Sequence, residues 1–288
     1  MLQLRGLNAV ATAGLPVPAD QELGALVDAQ VAALRAGRLR LASERSLLLR
    51  LRAQLDAMIR TDHLEFFDDP ALPEADRLRL ARSLHTLNRV FLSYWRFARI
   101  LRPILQAASA QRGGEPARLL ELASGSGEFS MALSQYSVGA TVTGSDIQPA
   151  YVSDAQARAQ ARGLDVTFKE LDALQLGQHL SPGEADVVFI AQSVHHFRPG
   201  QLALMIAGAR KAGARFVAVD GYRGPLLLSL LLFTGAVPLW WPFWHDSVTT
   251  ARKFYSEPEL ALIGRLAAPD SPVTVRSAWP GYSVLVVG

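Results

Sequence analysis

The sequence predicts an α/β chain in which a helical front precedes a seven-stranded, mostly parallel sheet closed by an antiparallel hairpin. Three observations predict it. Between Asp20 and about Arg60, apolar residues recur with helical spacing, and Leu23, Leu26, Val27, Val31 and Leu34 fall on one face. Beyond the linker "QRGGEP", the rhythm changes to short apolar runs alternating with helical segments. That is the pattern of a parallel sheet covered on both faces. The chain then finishes on two apolar runs around Trp279-Pro280-Gly281-Tyr282, which read as a hairpin.

Each element follows in order. The first eighteen residues carry a weak signal-peptide likeness, but Arg5 and Asn8 interrupt the apolar stretch, so the segment reads as a mobile leader. "FFDDPALPE" breaks the first helical region with two prolines. Pro73 and Glu74 suit the start of a further helix, running to about Ala108. Residues 1–114 are therefore read as a helical extension, and 115–288 as the sheet domain. The predicted strands are Arg118 to Ser124, Thr141 to Asp146, Val166 to Asp172, Ala185 to Gln192 and Ala214 to Tyr222, before the hairpin. A hairpin at the end of such a sheet requires one antiparallel strand. Ligands of such sheets sit at the carboxyl ends of the strands.

Composition narrows the chemistry. Half of the 288 residues are hydrophobic, ample for a large core. The absence of cysteine removes disulfides, zinc–thiolate sites, iron–sulfur clusters and cysteine nucleophiles, and no metal site is read from the sequence. The net charge is +3, and Lys169, Lys211 and Lys253 are the only lysines. Arginine abundance beside so much Ala, Leu and Gly reads as codon bias, so it is discounted as a nucleic-acid signal.

The stretch "LLELASGSGEFSMALSQ" reads as a strand, a small-residue turn and the start of a helix. Gly125 and Gly127 begin a dinucleotide-type glycine pattern, but Ser130 stands at its third glycine. Glu121 also argues against a pyrophosphate, because it brings a carboxylate to a turn that would present amides to an anion. A cofactor with a cationic end and no phosphate fits better, and S-adenosylmethionine is one. "TVTGSD" places Asp146 at the end of the second strand, about twenty residues past the glycines, where an acid can grip ribose hydroxyls. Asp146 also suits a helix cap for the segment that follows it. "KELDAL" places Asp172 and Ala173 at the end of the third strand, within reach of an adenine ring.

On these residues, with "QSVHHF" after the fourth strand and the closing hairpin, the chain resembles the class I S-adenosylmethionine-dependent methyltransferases from about Arg118 to Gly288. The resemblance implies a Rossmann-like fold. It also implies cofactor contacts from Glu121, Ala123, Gly125, Gly127, Asp146, Ile147, Asp172, Ala173 and Gln192. Ala123 departs from the family pattern, which has a glycine there. A second, less specific resemblance is to methyltransferases of polyketide and phenolic-lipid pathways, through "FFDDP", "LNRV" and "HDSVTTARKFYSEPEL".

For catalysis the candidates are His245, followed directly by a carboxylate at Asp246, and the pair His195 and His196. Arg96 is a candidate for the methionine carboxylate. The charge-free run Pro225 to Trp244 is long enough to cross a bilayer, yet a crossing would keep the sheet from closing, and four helix-breaking residues interrupt it. It reads as part core and part apolar lid, with Leu239 to Trp244 walling an acceptor pocket and a peripheral membrane contact available through it. The expected activity is methylation of an oxygen on a small hydrophobic metabolite by a cytoplasmic enzyme. The alternatives are carbon methylation of a quinol or resorcinol ring, an RNA methyltransferase suggested by the arginines from Arg35 to Arg52, and a non-catalytic binding protein. No Asn/Asp-Pro-Pro-aromatic motif follows the fourth strand, so no nucleic-acid partner is expected.

Overall fold

The computed structural model describes residues 20–43, 47–61, 84–136, 139–223 and 241–288, together with 63, 65, 71, 73 and 76. Helix α1 spans Asp20–Ser43 and α2 spans Leu47–Ile59. Leu23, Val27 and Val31 form the buried stripe of α1, at the spacing that brings residues onto one helical face. The single helix predicted from Glu74 to about Ala108 is divided. Residues 84–90 are helical, Phe91 and Leu92 form a turn, and α3 runs from Ser93 to Gln111. Leu92 has φ 54°, a left-handed conformation that ends the first segment. Apolar spacing resumes across the break, so periodicity alone does not reveal it. Residues 74, 75 and 77–83 of that prediction lie outside the described residues, as do the leader and "FFDDP".

The sheet domain follows as β1 (Ala117–Leu122), α4 (Glu128–Gln135), β2 (Ala140–Asp146), α5 (Pro149–Ala161), β3 (Thr167–Glu170), α6 (Leu176–His179), β4 (Val187–Ala191), α7 (Pro199–Lys211), β5 (Arg215–Gly221), α8 (Trp241–Lys253), α9 (Glu257–Ala267), β6 (Val273–Ala278) and β7 (Tyr282–Val287). The seven strands lie in the order β3-β2-β1-β4-β5-β7-β6. β1 to β5 pair in parallel, and β7 runs antiparallel to both its neighbours, so it is the one reversed strand that the hairpin requires. Each of the first five predicted strands overshoots at its carboxyl end, except the second, because residues such as Ala123, Leu171 and Tyr222 prolong the apolar run past the end of the strand.

Strand alternation divides the core in two. Leu119, Phe189, Val217 and Val219 pack with Phe97, Leu101, Phe129 and Leu133, under α3 to α5. Leu120, Leu122, Ile190 and Ala218 pack with Leu23, Val27, Leu202, Ile206, Leu260 and Ile263, under α1, α7 and α9. The front helix α1 is thus part of the second layer. Its backbone touches α7 closely: a side chain on Gly200 would meet the carbonyl oxygen of Gly24 at 2.2 Å. Behind this contact lies a buried ion cluster. Glu259 is fully buried, with Arg35 Nε at 2.5 Å and Arg223 Nη2 at 3.2 Å, and Arg223 also donates to both oxygens of Asp56. Two arginines hold Glu259 down at about 2, against the cost of its burial. The cluster joins α1 and α2 to α9 and to the end of β5.

Candidate functional site

The strand order reverses between β1 and β4, which lie parallel to each other, and this opens a crevice at their carboxyl ends. Glu121 shares its strand face with Leu119 and so points toward α4. There Ser130, fully buried, donates its hydroxyl to Glu121 Oε2. Ser130 is the residue that spoils the dinucleotide pattern, and in the fold it serves the carboxylate. Glu121 is buried, and burial pushes its carboxyl up to about 8, with nearby Asp146 adding to the rise against the Ser130 bonds.

The turn after β1 is held in left-handed backbone. Ala123 has φ 49°, Gly125 52° and Gly127 71°. Ala123 therefore adopts the conformation for which glycine is favoured at that position. Gly127 has a second reason: a side chain there would lie 2.4 Å from the ring of Phe168. Asp146, buried at the end of β2, accepts from the amide of Gly125 at 2.8 Å and from that of Gln148 at 3.0 Å. The cap position of α5 belongs to Gln148, so Asp146 braces the glycine turn and the approach to the helix rather than capping the helix directly. Each of its oxygens uses one lone pair in this way and keeps another. Ile147 beside it is exposed. Asp172 accepts from Leu174 N and from Gln175 Nε2, both at 2.9 Å, and so caps the short 3-10 turn Ala173–Gln175 at the mouth of β3. Ala173 is buried.

The other half of the crevice is assembled from distant segments. Gln192 has φ 52° and donates from its side chain to Asn88 at 3.0 Å, so residues 84–90 of the front reach the end of β4. His195 is buried. Asp220, at the end of β5, accepts from its backbone amide at 2.9 Å and lies 2.8 Å from its Nδ1. Glu65, from the segment after α2, is buried with Oε1 3.7 Å from His195 Nε2 and 3.2 Å from Lys253 Nζ. His196 is exposed, its ring 4.2 Å from that of His195. His245 lies on α8, partly exposed, with Nδ1 3.5 Å from Asp246 Oδ1. Arg96 donates to Phe91 O and stacks on Trp279, 4.3 Å from the ring centre. The proposed lid, Pro225 to residue 240, lies outside the described residues. The side chain of Trp241 does too, although Trp241 opens α8.

A family model described as a methyltransferase domain matches residues 119–214, the stretch that contains β1, the glycine turn, Asp146, Asp172 and the histidine pair. This segment is a class I S-adenosylmethionine-dependent methyltransferase domain. Over 89 residues the chain is 39% identical to a demethylmenaquinone methyltransferase of Thermus thermophilus, a match covering 31% of this chain and 40% of that protein. It is 32% identical over 152 residues to an uncharacterised protein of Mycobacterium tuberculosis, covering 49% of this chain and 53% of that one. The chain thus spans about half the length, or less, of these curated relatives. Among solved structures, the plantazolicin methyltransferase BpumL, determined with S-adenosylhomocysteine, matches with TM-score 0.56 at 11% identity over 91% of this chain and 98% of that one. Its counterpart BamL matches with TM-score 0.54 at 13% identity over 77% and 92%. These two likenesses establish the fold.

The methyltransferase domain's own atoms fit the cofactor. Ser124 Oγ is buried at the glycine turn with no partner among the described residues. Asp146 retains acceptor capacity for a vicinal diol, the exposed Ile147 offers an apolar face beside it, and Glu121 is a buried carboxyl that no cation among the described residues offsets. A ligand with hydroxyls, a flat ring and an ammonium answers each of these. Among the described residues, no helix is long and apolar enough to cross a membrane.

Proposed function

We propose that this chain transfers the methyl group of S-adenosylmethionine to an oxygen of a small, hydrophobic, hydroxylated acceptor. The observation that carries the reading is the pairing of Glu121 with Asp146 around one glycine turn, two carboxyls at adjacent strand ends. When bound, the cofactor supplies a methyl group on a positively charged sulfur. Glu121, ionised by the approach of a cation, takes the ammonium end, Asp146 takes the ribose hydroxyls, and Ile147 with Ala173 borders the adenine. The turn at 123–127 sets the position of the reacting end against β4. Alignment and exclusion of water then do most of the catalytic work.

An oxygen acceptor must also lose its proton, and this task falls to the histidine pair at the end of β4. Asp220 fixes the ring of His195 through both the amide and Nδ1, and Phe254 meets that ring edge-on at 5.2 Å. His196 is exposed next to it. Such help is worth roughly 10²–10⁴-fold in rate.

A second reading, transfer to a carbon of a quinol ring, draws support from the likeness to the Thermus demethylmenaquinone methyltransferase. That match is confined to 31% of the chain. The two readings share the cofactor end and the need to ionise a ring hydroxyl. Incubation with cofactor labelled in its methyl group and a panel of apolar phenols and hydroquinols tests both. A labelled methoxy product supports the first reading, a labelled ring methyl the second, and no transfer to any hydroxylated acceptor counts against both.

A further inference from the structure

We propose that Glu65, His195 and His196 form a binding site for a divalent transition-metal ion. One ligand atom from each can be chosen so that all three lie within 4.8 Å of one another, and two of the three residues are buried.

The tautomer of His195 is the first argument. Asp220 Oδ2 accepts from the His195 amide and lies 2.8 Å from Nδ1. With a carboxylate there, the neutral ring carries its proton on Nδ1 and its lone pair on Nε2. That lone pair faces Glu65 Oε1 at 3.7 Å. Two electron-rich atoms thus face each other at a separation too long for a hydrogen bond. It is close to the ~3.3 Å edge of a tetrahedron built on bonds of 2.0–2.1 Å. A metal ion between them satisfies both. The same Asp220 contact is the carboxylate–histidine–metal arrangement that orients a ligating ring and raises its basicity.

The ligand set points to the class of ion. Two imidazoles and one carboxylate suit zinc, cobalt or iron(II), whereas magnesium and calcium prefer oxygen ligands throughout. The exposure of His196 leaves the outer side of the site open to water or to an acceptor's oxygen. Lys253 Nζ, 3.2 Å from the same oxygen of Glu65, is the competing cation. Glu65 comes from the front of the chain and the histidines from the end of β4, so a bound ion fastens the two at the acceptor end of the crevice. This function rests on the methyl-transfer reading. With an ion bound the histidines serve as its ligands and not as the base: a hydroxyl entering the open position becomes more acidic and releases its proton to water, which leaves an oxygen nucleophile.

The test is direct binding of cobalt(II) to the full chain after removal of metals with a chelator. We expect one saturable site with visible absorption bands of low-coordinate cobalt. His196→Ala, exposed and so harmless to the fold, and Glu65→Gln should each weaken binding at least tenfold. Asp220→Asn should weaken it by about 10–100-fold, as removal of an orienting carboxylate does. Lys253→Gln should strengthen it. Absence of saturable binding, or binding that His196→Ala leaves unchanged, overturns the site. Binding of S-adenosylhomocysteine is measured by calorimetry on the same metal-free samples. If it binds while cobalt does not, the metal site alone fails. If cobalt binds while it does not, the methyl-transfer reading fails and the metal site stands.

Discussion

Glu121 and Glu259 are both buried carboxyls within one domain, and they behave in opposite ways. Glu259 sits between Arg35 and Arg223, accepts from Ser256, and is held at about 2. Glu121 is met by the hydroxyl and the backbone of Ser130, and burial lifts it to about 8. The difference is one of purpose. A buried acid with its cations built in is finished as structure, here joining the front helices to α9. A buried acid without one leaves room for a positively charged ligand, and in the proposed function that ligand is the ammonium end of the cofactor.

The comparison is open to attack in several ways, the largest expected effect first. Removing the charge of Glu259 leaves Arg223 buried with part of its compensation gone. Glu259→Gln should therefore lower unfolding stability by about 3–5 kcal/mol in urea melts. A loss under about 1 kcal/mol, the scale of a surface pair, would deny the cluster its structural role.

At the other end of the crevice, His195→Ala should lower the methyl-transfer rate by ~10²-fold or more while S-adenosylhomocysteine binds as before. His245→Ala, with its carboxylate at 3.5 Å and its ring partly open to solvent, should have the smaller effect on rate. A reversal of that order would move proton removal to α8.

Asp146→Asn keeps the shape of the turn but weakens charge-assisted bonds of roughly 1.5–3 kcal/mol each. Cofactor affinity should fall at least tenfold, and because Asp146 also braces Gly125, Gly127→Ala should reproduce part of the loss. Unchanged affinity in folded Asp146→Asn would make that carboxyl a turn brace only.

The smallest effect lies in the pH dependence of stability. Glu121 is raised in the folded state, so its contribution is whole below its ordinary value near 4.5 and is lost as pH rises through about 8. Glu259 is depressed, so its contribution is whole above that value and is lost as pH falls toward about 2. In Glu121→Gln the alkaline loss of melting temperature should shrink, and the acid loss should remain. Equal alkaline loss in both proteins would remove the contrast between the two glutamates.

How much of this was legible in the sequence follows the same division. The cofactor-binding turn is built from residues near their own strand ends, where Asp172 holds the amide of Leu174 and Asp146 holds those of Gln148 and of Gly125 at the neighbouring strand end. Rules about strand ends find such residues. Asp220 obeys the same rule at the end of β5, in "VAVDG", and was open to the same inference. Glu65 and Asn88 carry no such signal. They reach the site across 130 and 104 residues of chain, through the packing of the front segment, and no local pattern encodes a contact of that kind. Ser130 stands out in the sequence for the motif it breaks, whereas its bond to Glu121 is visible only once α4 lies over β1. The break at Phe91 and Leu92 escaped for a physical reason as well, since a left-handed residue leaves hydrophobic periodicity on either side intact.

Whether Glu121 awaits a cation is read most directly by calorimetry of S-adenosylmethionine binding over a range of pH and in buffers of different ionisation heat. If it does, binding releases a proton from Glu121, affinity rises with pH until about 8, and both effects vanish in Glu121→Gln. Tight binding of NADH without any binding of S-adenosylmethionine, or cofactor binding with no proton release and the same pH profile in Glu121→Gln, would contradict it.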